Sequence, residues 1–398
     1  MMLSYSRFAK KNTVLFIFLF LIKCLYSYVL IYLNAKNLLH LGDIFRYFND
    51  AKVIYSNIHS FNDFFCLLTD AHGKCFSVIE HTSCWDKSYN YGIYNDNRPV
   101  IFINYLLLYL SGGYFFVHLL FFNLLSVAGF YRIYKAIEKA NGLAFLFFLL
   151  VLIPGNVSFW TSGILKENIL VFLMGFFIPQ LLLFNQNPSL KNLILLITST
   201  LPLFFVKGYF IVLLLPFLTA FALWKTIKFD KINAYVSISA ITLFLIIALY
   251  IEFPEFMLHL KAKQTDFYAA LPSSGLYFNP PEIKDNILGF VSQLPAGLFY
   301  SLIEPIPEFN HHFWKTAPVF MENIFVLIFS VIIFIRNKTN FSPLIFTLLL
   351  FIVTYLSIIG LVVPVTGALV RYKVPALIVL YICLSLVYKP VIHEKNHF

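Results

Sequence analysis

Residues 343–362 read PLIFTLLLFIVTYLSIIGLV, and none of these twenty positions is Asp, Glu, Lys, Arg or His. A helix rises about 1.5 Å per residue, so this run measures about 30 Å, the thickness of a bilayer's hydrocarbon core. Apolar residues fall on every side of it, without the every-second-residue alternation of a barrel strand. Lipid offers no hydrogen bonds to a backbone, so the run has to satisfy its own N–H and C=O groups, which a helix does. Over all 398 residues, 60% are hydrophobic, 19% aromatic and only 12% charged, with a mean hydropathy of +0.80. Soluble chains are about 45–50% apolar and roughly a quarter charged. A soluble fold is excluded, and the expectation is an all-α, polytopic transmembrane helical bundle.

Outward from this run, further spans are expected at Val14–Leu33, Tyr114–Phe130, Leu143–Ile153, Ile164–Phe184, Asn192–Val206, Tyr209–Trp224, Ala234–Ile251, Val319–Ile335 and Val374–Val387. Pro99–Leu110 is too short to cross comfortably and reads as a re-entrant or interfacial helix, ended by Ser111-Gly112-Gly113. Ile287–Ile303 reads as a helix broken by Pro and Gly. The formal charge of +10 sits largely in short clusters beside the runs: Arg7, Lys10 and Lys11; Arg132, Lys135 and Lys139; Lys225, Lys228 and Lys231; Arg336 and Lys338. That distribution orients a membrane protein, and it excludes a nucleic-acid partner. With each cluster cytoplasmic, the expectation is about ten spans plus re-entrant or interfacial helices on the outer side. Both termini then lie in the cytoplasm, and residues 1–398 form a single integral membrane domain. Section 34–98 is a first extracytoplasmic loop with interfacial helices, and 252–318 a second extracytoplasmic section.

Cys24 and Cys383 lie in apolar runs and read as buried thiols. Cys66, Cys75 and Cys84 share the first outer loop, where a Cys75–Cys84 disulfide is the first expectation. His72 and His81 are near, but no C-x-x-C or H-E-x-x-H spacing marks a metal site. No metal ligand and no cofactor are expected, with a divalent metal left open.

Charges at the outer boundary or at membrane depth carry a cost of about 2.5–3.5 kcal/mol at a helix centre, so each needs a task or a partner. In GDIFRYFNDA, Gly42 to Ala51, Asp43, Arg46, Tyr47 and Asp50 recur at i, i+3, i+4 and i+7 and share one helix face. A carboxylate just outside the first span suits a general base, with Asp43 and Asp50 the catalytic candidates and Arg46 and Tyr47 supporting them. The plain alternative is a surface helix with an Asp–Arg pair. FWTSGILKE, Phe159 to Glu167, opens a later span with Lys166 and Glu167 in its first turns, where an anion is favoured; alternatively these two pair with each other. Lys207 stands at the Lys207-Gly208 hinge, as an anion ligand or as a snorkelling interface cation. PVTGALVRYKVP, Pro364 to Pro375, places Arg371 and Lys373 outside against the orientation rule. Such a pair suits a phosphate, and the alternative is contact with an acidic residue such as Glu304 or Asp96. Arg98, in Asn97-Arg98-Pro99, either joins them or caps the re-entrant helix. Arg98, Lys166, Lys207, Arg371 and Lys373 together would make a basic outer cavity for a lipid-borne phosphate, with Glu167 and Glu304 supporting it.

On these segments the chain resembles the multi-spanning glycosyltransferases of the GT-C class, including polyprenyl-phosphate-sugar-dependent, family 39-like relatives of the protein mannosyltransferases found in bacterial surface-polysaccharide clusters. The likeness rests on the Asp-containing helix after the first span, FWTSGILKE, the Glu304-Pro305-Ile306-Pro307 segment and the GALVRYKVP turn. In that class an acidic residue of the first outer loop is the catalytic carboxylate, and Asp43 matches it, although as Gly42-Asp43-Ile44 rather than as an adjacent acidic pair. The resemblance implies an enzyme of the bacterial inner membrane. It would move a sugar, with inversion, from a polyprenyl-phosphate lipid donor to an extracytoplasmic glycan, lipid or protein acceptor. A repeat-unit polymerase or ligase, and a non-catalytic lipid-oligosaccharide flippase, are the alternatives.

Overall fold

A computed structural model describes residues 2–388 apart from 37–41, 59, 61, 64, 66, 68–80, 86–94, 228–233, 253–254, 270–275 and 308–312. The described chain is helical. In order the helices are α1 (Met2–Lys36), α2 (Asp43–Asn57), α3 (Arg98–Ser111), α4 (Phe115–Lys139), α5 (Ala144–Leu152), α6 (Lys166–Gln186) and α7 (Leu190–Val206). There follow α8 (Gly208–Ile227), α9 (Ala234–Glu252), α10 (Glu255–Ala269), α11 (Ile287–Ile303), α12 (Phe313–Arg336), α13 (Pro343–Val362) and α14 (Thr366–Val387). The only β pairing among the described residues is an isolated bridge between Tyr277 and Val365.

Among the described residues seven helices are long and apolar enough to cross a membrane: Thr13–Leu33, Phe115–Lys139, Lys166–Gln186, Gly208–Thr226, Thr316–Arg336, Pro343–Val362 and Thr366–Val387. This is the signature of a multi-pass membrane protein. The three other expected spans fall on shorter helices. α5 has 9 residues, about 14 Å at the helical rise, and stops at Pro154-Gly155-Asn156. The runs Leu190–Val206 and Ala234–Ala248 also fall below the length of those seven. α11 runs unbroken through Pro295, and α10 lies in a section whose polarity gave no sign of a helix.

The chain divides into two compact units, the first made of Met1–Ile133, Phe159–Ile178 and Ile197–Gly208. In it α4 and α6 meet through glycine: a Cβ on Gly129 would overlap the Val171 carbonyl, and one on Gly175 would stand 2.8 Å from the Gly129 Cα. The approach lets Arg132 Nε donate to the Gly175 carbonyl at 2.8 Å, and Asn168 Nδ2 to the Phe122 carbonyl at 2.9 Å. α3 ends where expected, on Gly112 with φ +59°, a left-handed position that favours glycine.

The second unit comprises Tyr134–Ser158, Pro179–Leu196 and Tyr209–Phe398. Its closest helix crossing is α11 on α13. A Cβ on Gly297 would overlap the Ser357 carbonyl, and one on Gly360 would overlap the Gly297 carbonyl; Ser301 Oγ donates to the Leu356 carbonyl beside them. Small residues let helices approach where lipid supplies no hydrophobic drive to pack them. Leu143 N donates to the Ser385 carbonyl at 2.7 Å, tying the start of α5 to α14. Gly360→Ala should therefore cost about 1–3 kcal/mol through overpacking. Gly367→Ala, which meets nothing within 4 Å, should change stability by less than about 0.5 kcal/mol. Unfolding of both variants in detergent, followed by circular dichroism, checks the difference.

Candidate functional site

α2 presents its polar face to a three-residue segment, Ser83-Cys84-Trp85. The buried carboxylate of Asp50 accepts Ser83 N at 2.9 Å, Ser83 Oγ at 3.1 Å, Cys84 N at 2.7 Å and Trp85 N at 3.2 Å. The carbonyl side of the same segment is held as firmly: Asn95 Nδ2 donates to Cys84 O at 2.7 Å and to Trp85 O at 2.8 Å. Arg46 Nη2 reaches Ser83 O at 3.3 Å and Arg98 Nε reaches Trp85 O at 3.2 Å. Tyr47 Oη donates to Asn97 Oδ1 at 3.0 Å. Asp50, expected as a second catalytic carboxylate, has both oxygens engaged and is 3% exposed. Asp43 differs. Its side chain is 30% exposed, at the first position of α2, with Arg46 Nη1 3.8 Å away. Cys84 is a free, buried thiol rather than half of the expected Cys75–Cys84 bridge, and burial pushes that thiol above its usual value. Cys66, Cys75 and His72 lie outside the described residues.

Arg98 opens α3. Its guanidinium stands 5.3 Å from the Trp85 ring centre, and only its Nε is committed, to Trp85 O. Among the described residues no carboxylate pairs with it. Lys166 opens α6 and pairs with Asp96 at 2.8 Å, the lysine buried and the aspartate partly exposed. Glu167, the next residue, pairs instead with the hinge cation Lys207 at 2.9 Å, and both are almost fully buried. The alternative of a mutual Lys166–Glu167 pair thus gives way to two pairs with separate partners. Lys207 is drawn inward and does not snorkel.

In the second unit Arg371 is half-buried near the start of α14. Lys373 is buried, and its Nζ donates to Ser301 O at 3.0 Å, Glu304 O at 3.0 Å and Asn323 Oδ1 at 3.2 Å. It is therefore the Glu304 carbonyl that meets Lys373; the Glu304 carboxylate accepts Ile306 N at 2.9 Å. Next to Lys373, Glu322 accepts Asn156 N at 2.7 Å and Tyr381 Oη at 3.2 Å. A Cβ on Gly155 would collide with the Glu322 carboxylate, and its φ of +156° also requires glycine.

Two charges inside apolar runs escaped the sequence reading. Lys23, in the middle of α1, is fully buried and donates to the carbonyl and the hydroxyl of Thr161, each at 2.6 Å. Glu322 lies early in α12. In both cases the signal was one ionisable letter in a long apolar run. Asp96, the partner of Lys166, was weighed only as a contact for Arg371 or Lys373.

The structure sorts the candidates. Asp50, Glu167, Lys207 and Lys373 face inward onto protein partners. Asp43, Arg46 and Arg98 keep exposed surface in the first unit, and Arg371 does so in the second, while Lys166 is buried on its partner Asp96. Among the described residues no group of three or more His, Cys, Asp or Glu is placed to hold a metal ion. No family model, curated protein or solved structure matches the chain.

Two outcomes follow from the inward pairs. Glu167→Gln or Lys207→Met alone should cost about 3–5 kcal/mol, because each leaves an uncompensated buried charge, while the double variant should recover most of that loss; a double-mutant cycle on unfolding in detergent reads it. Asp50→Asn, which turns an amide toward backbone N–H donors, should cost roughly 1.5–3 kcal/mol. It should also release Cys84, so that maleimide labelling of the Cys84 peptide, slow in the parent, accelerates about tenfold or more.

Proposed function

We propose that the chain is a membrane glycosyltransferase that moves a sugar from a polyprenyl-phosphate donor to a hydroxyl acceptor on the non-cytoplasmic side of the membrane. The observation that carries this reading is the edge built on Ser83-Cys84-Trp85. Two arginines and a carboxylate meet there, Arg46 with Asp43 at one end and Arg98 at the other. Two residues of chain span at most about 7 Å, so the carbonyls that hold Arg46 and Arg98 lie close together, which supports reading the base candidate and the oriented arginine as one site. Arg98 is held by its Nε and by the Trp85 face, which leaves its terminal nitrogens to grip a phosphate. Lys166 adds a second cation beside it, with two N–H donors beyond the one given to Asp96.

In this reading Asp43 takes the proton of the acceptor hydroxyl. The acceptor oxygen forms a bond to the anomeric carbon as the bond from that carbon to the phosphate oxygen breaks. The lipid phosphate departs with the electron pair, its charge met by Arg98 and Lys166. A single displacement inverts the anomeric centre. Arg371 stays in the proposal as a partly exposed cation of the second unit, whereas Asp50, Lys207 and Lys373 hold the scaffold. The orientation belongs to the same reading: a bacterial inner-membrane protein with both termini cytoplasmic needs an even number of crossings, met when α7, α9 and the broken run from α5 through the Val157–Trp160 turn complete ten.

The test uses the full chain in nanodiscs with a panel of undecaprenyl-phosphate-linked hexoses and a mixed hydroxyl acceptor pool. Asp43→Asn should lower turnover by about 10²–10⁴, the usual worth of a general base, with donor binding unchanged, and Arg98→Ala should raise the KM for the donor. Full turnover in Asp43→Asn removes the proposed base. Transbilayer movement of the donor without transfer replaces the enzyme with a flippase, and products of many repeats replace it with a polymerase.

A further inference from the structure

Where α3 meets α4 in the first unit, three polar side chains form a buried row that the proposed sugar transfer does not use. Ser111, the last residue of α3, has its Oγ 2.8 Å from His118 Nε2. His118 Nδ1 in turn stands 2.8 Å from Asn104 Oδ1. His118 and Asn104 are fully buried, and Ser111 is 6% exposed. The far end of the row decides where its protons lie. Asn104 Nδ2 donates to the Val100 carbonyl at 2.8 Å, which turns Oδ1 toward the ring. That oxygen only accepts, so Nδ1 of the neutral ring carries the hydrogen and Nε2 offers its lone pair to the Ser111 hydroxyl. The Phe48 ring packs edge-on against the imidazole, with centres 4.8 Å apart, and holds its plane.

A polar pin between two helices needs only the bond from serine to histidine, and either tautomer makes it. Here a third group selects the tautomer able to take the serine's proton, which is the order of a nucleophile, its base and the group that orients the base. Ser111 also stands at the Gly112-Gly113 turn. Gly113 N lies 3.2 Å from Oγ, and a Cβ on Gly113 would meet nothing within 4 Å. The turn thus leaves room for a substrate carbonyl beside the hydroxyl, with one N–H donor for its oxygen. None of the three side chains carries a fixed charge to hold a phosphate. Leu110 and Tyr114, on either side of the turn, are 84% and 74% exposed, and such surface on a membrane protein meets lipid. We infer that Ser111, His118 and Asn104 form a serine esterase centre for lipid-borne carboxylic esters. Oγ bonds to the ester carbonyl carbon as its proton passes to Nε2. The bond from that carbon to the alcohol oxygen then breaks, and Nε2 returns the proton to the departing alkoxide. Water, deprotonated by Nε2, releases the acyl group as a carboxylic acid, and Nε2 reprotonates Ser111.

The test exposes the full chain in detergent to an alkyl fluorophosphonate and identifies the modified peptide by mass spectrometry. Ser111 should be phosphonylated in the folded protein and not after heat denaturation, because an unactivated hydroxyl does not react. His118→Gln should slow labelling about 10²–10⁴-fold, the usual worth of a general base. Asn104→Leu keeps both the serine and the histidine but frees the tautomer. It should slow labelling about tenfold or more, and it serves should His118→Gln fail to fold. Above the background of Ser111→Ala, the parent should hydrolyse p-nitrophenyl palmitate faster than p-nitrophenyl acetate. A folded parent with no label on Ser111 reduces the row to a pin between α3 and α4 and overturns the inference, as does labelling that both variants leave unchanged. A preference for the acetate overturns the lipid ester. The centre shares no residue with the proposed transfer site, so its outcome stands whether or not the chain transfers sugar.

Discussion

Lipid accepts and donates no hydrogen bonds, and every polar group that this chain carries inside an apolar helix has to find its partner on another part of the protein. For three of its buried ions the partners include backbone groups freed where a helix stops. Lys23 donates to Thr161, just past the single helical turn Val157–Trp160. Glu322 accepts the amide of Asn156, in the turn after α5. Lys373 donates to the carbonyls of Ser301 and Glu304, at the end of α11. A broken helix in a bilayer leaves unsatisfied amides and carbonyls that cost several kcal/mol each, and an ion buried alone costs at least as much. Bringing the two defects together cancels both. The buried charges are therefore conditions of the irregular backbone, and the irregular backbone is what gives the first unit its non-helical turn from Thr161 to Leu165.

The same economy explains the glycines. Neighbouring helices in lipid gain nothing from hiding apolar surface, so their association depends on close backbone approach and on hydrogen bonds that only close approach allows. Arg132 reaches the Gly175 carbonyl because Gly129 and Gly175 have no side chains between the helices. Ser301 reaches the Leu356 carbonyl because Gly297 and Gly360 clear the way. Glycine at these positions is required by space and not by backbone angle, unlike Gly112 and Gly155, whose φ values are positive.

Much of this was legible in the sequence, and the rest was not for identifiable reasons. Apolar runs disclosed the long helices, Ser111-Gly112-Gly113 the end of α3, and Lys207-Gly208 the break between α7 and α8. Helix length was less visible, because hydropathy reports where a segment is apolar and not where its hydrogen bonding stops; α5 ends after nine residues although the apolar run reaches Ile153. Ion pairing was the least visible. Lys166 and Glu167 are adjacent, but successive helical residues point about 100° apart, so each finds a different partner, Asp96 and Lys207, at long sequence separation. Asp43 and Asp50 do share a helical face, seven residues apart. Their fates differ because Ser83-Cys84-Trp85 covers one and not the other, and no spacing rule announces where a distant loop will dock.

That docking is also what turns a set of charges into an oriented site. A flexible segment would leave Arg46 and Arg98 as long side chains with many rotamers, and in the proposed reading Arg98 would lose that freedom on gripping a phosphate. Asp50 removes much of the cost in advance. Its four hydrogen bonds pin the segment whose carbonyls then fix Arg46 and Arg98, so the inward carboxylate prepares the outward cations. In the proposed reading a buried acid that touches no substrate thus sets the geometry of the arginines, and removing it would cost the segment its order before it cost the arginines any charge.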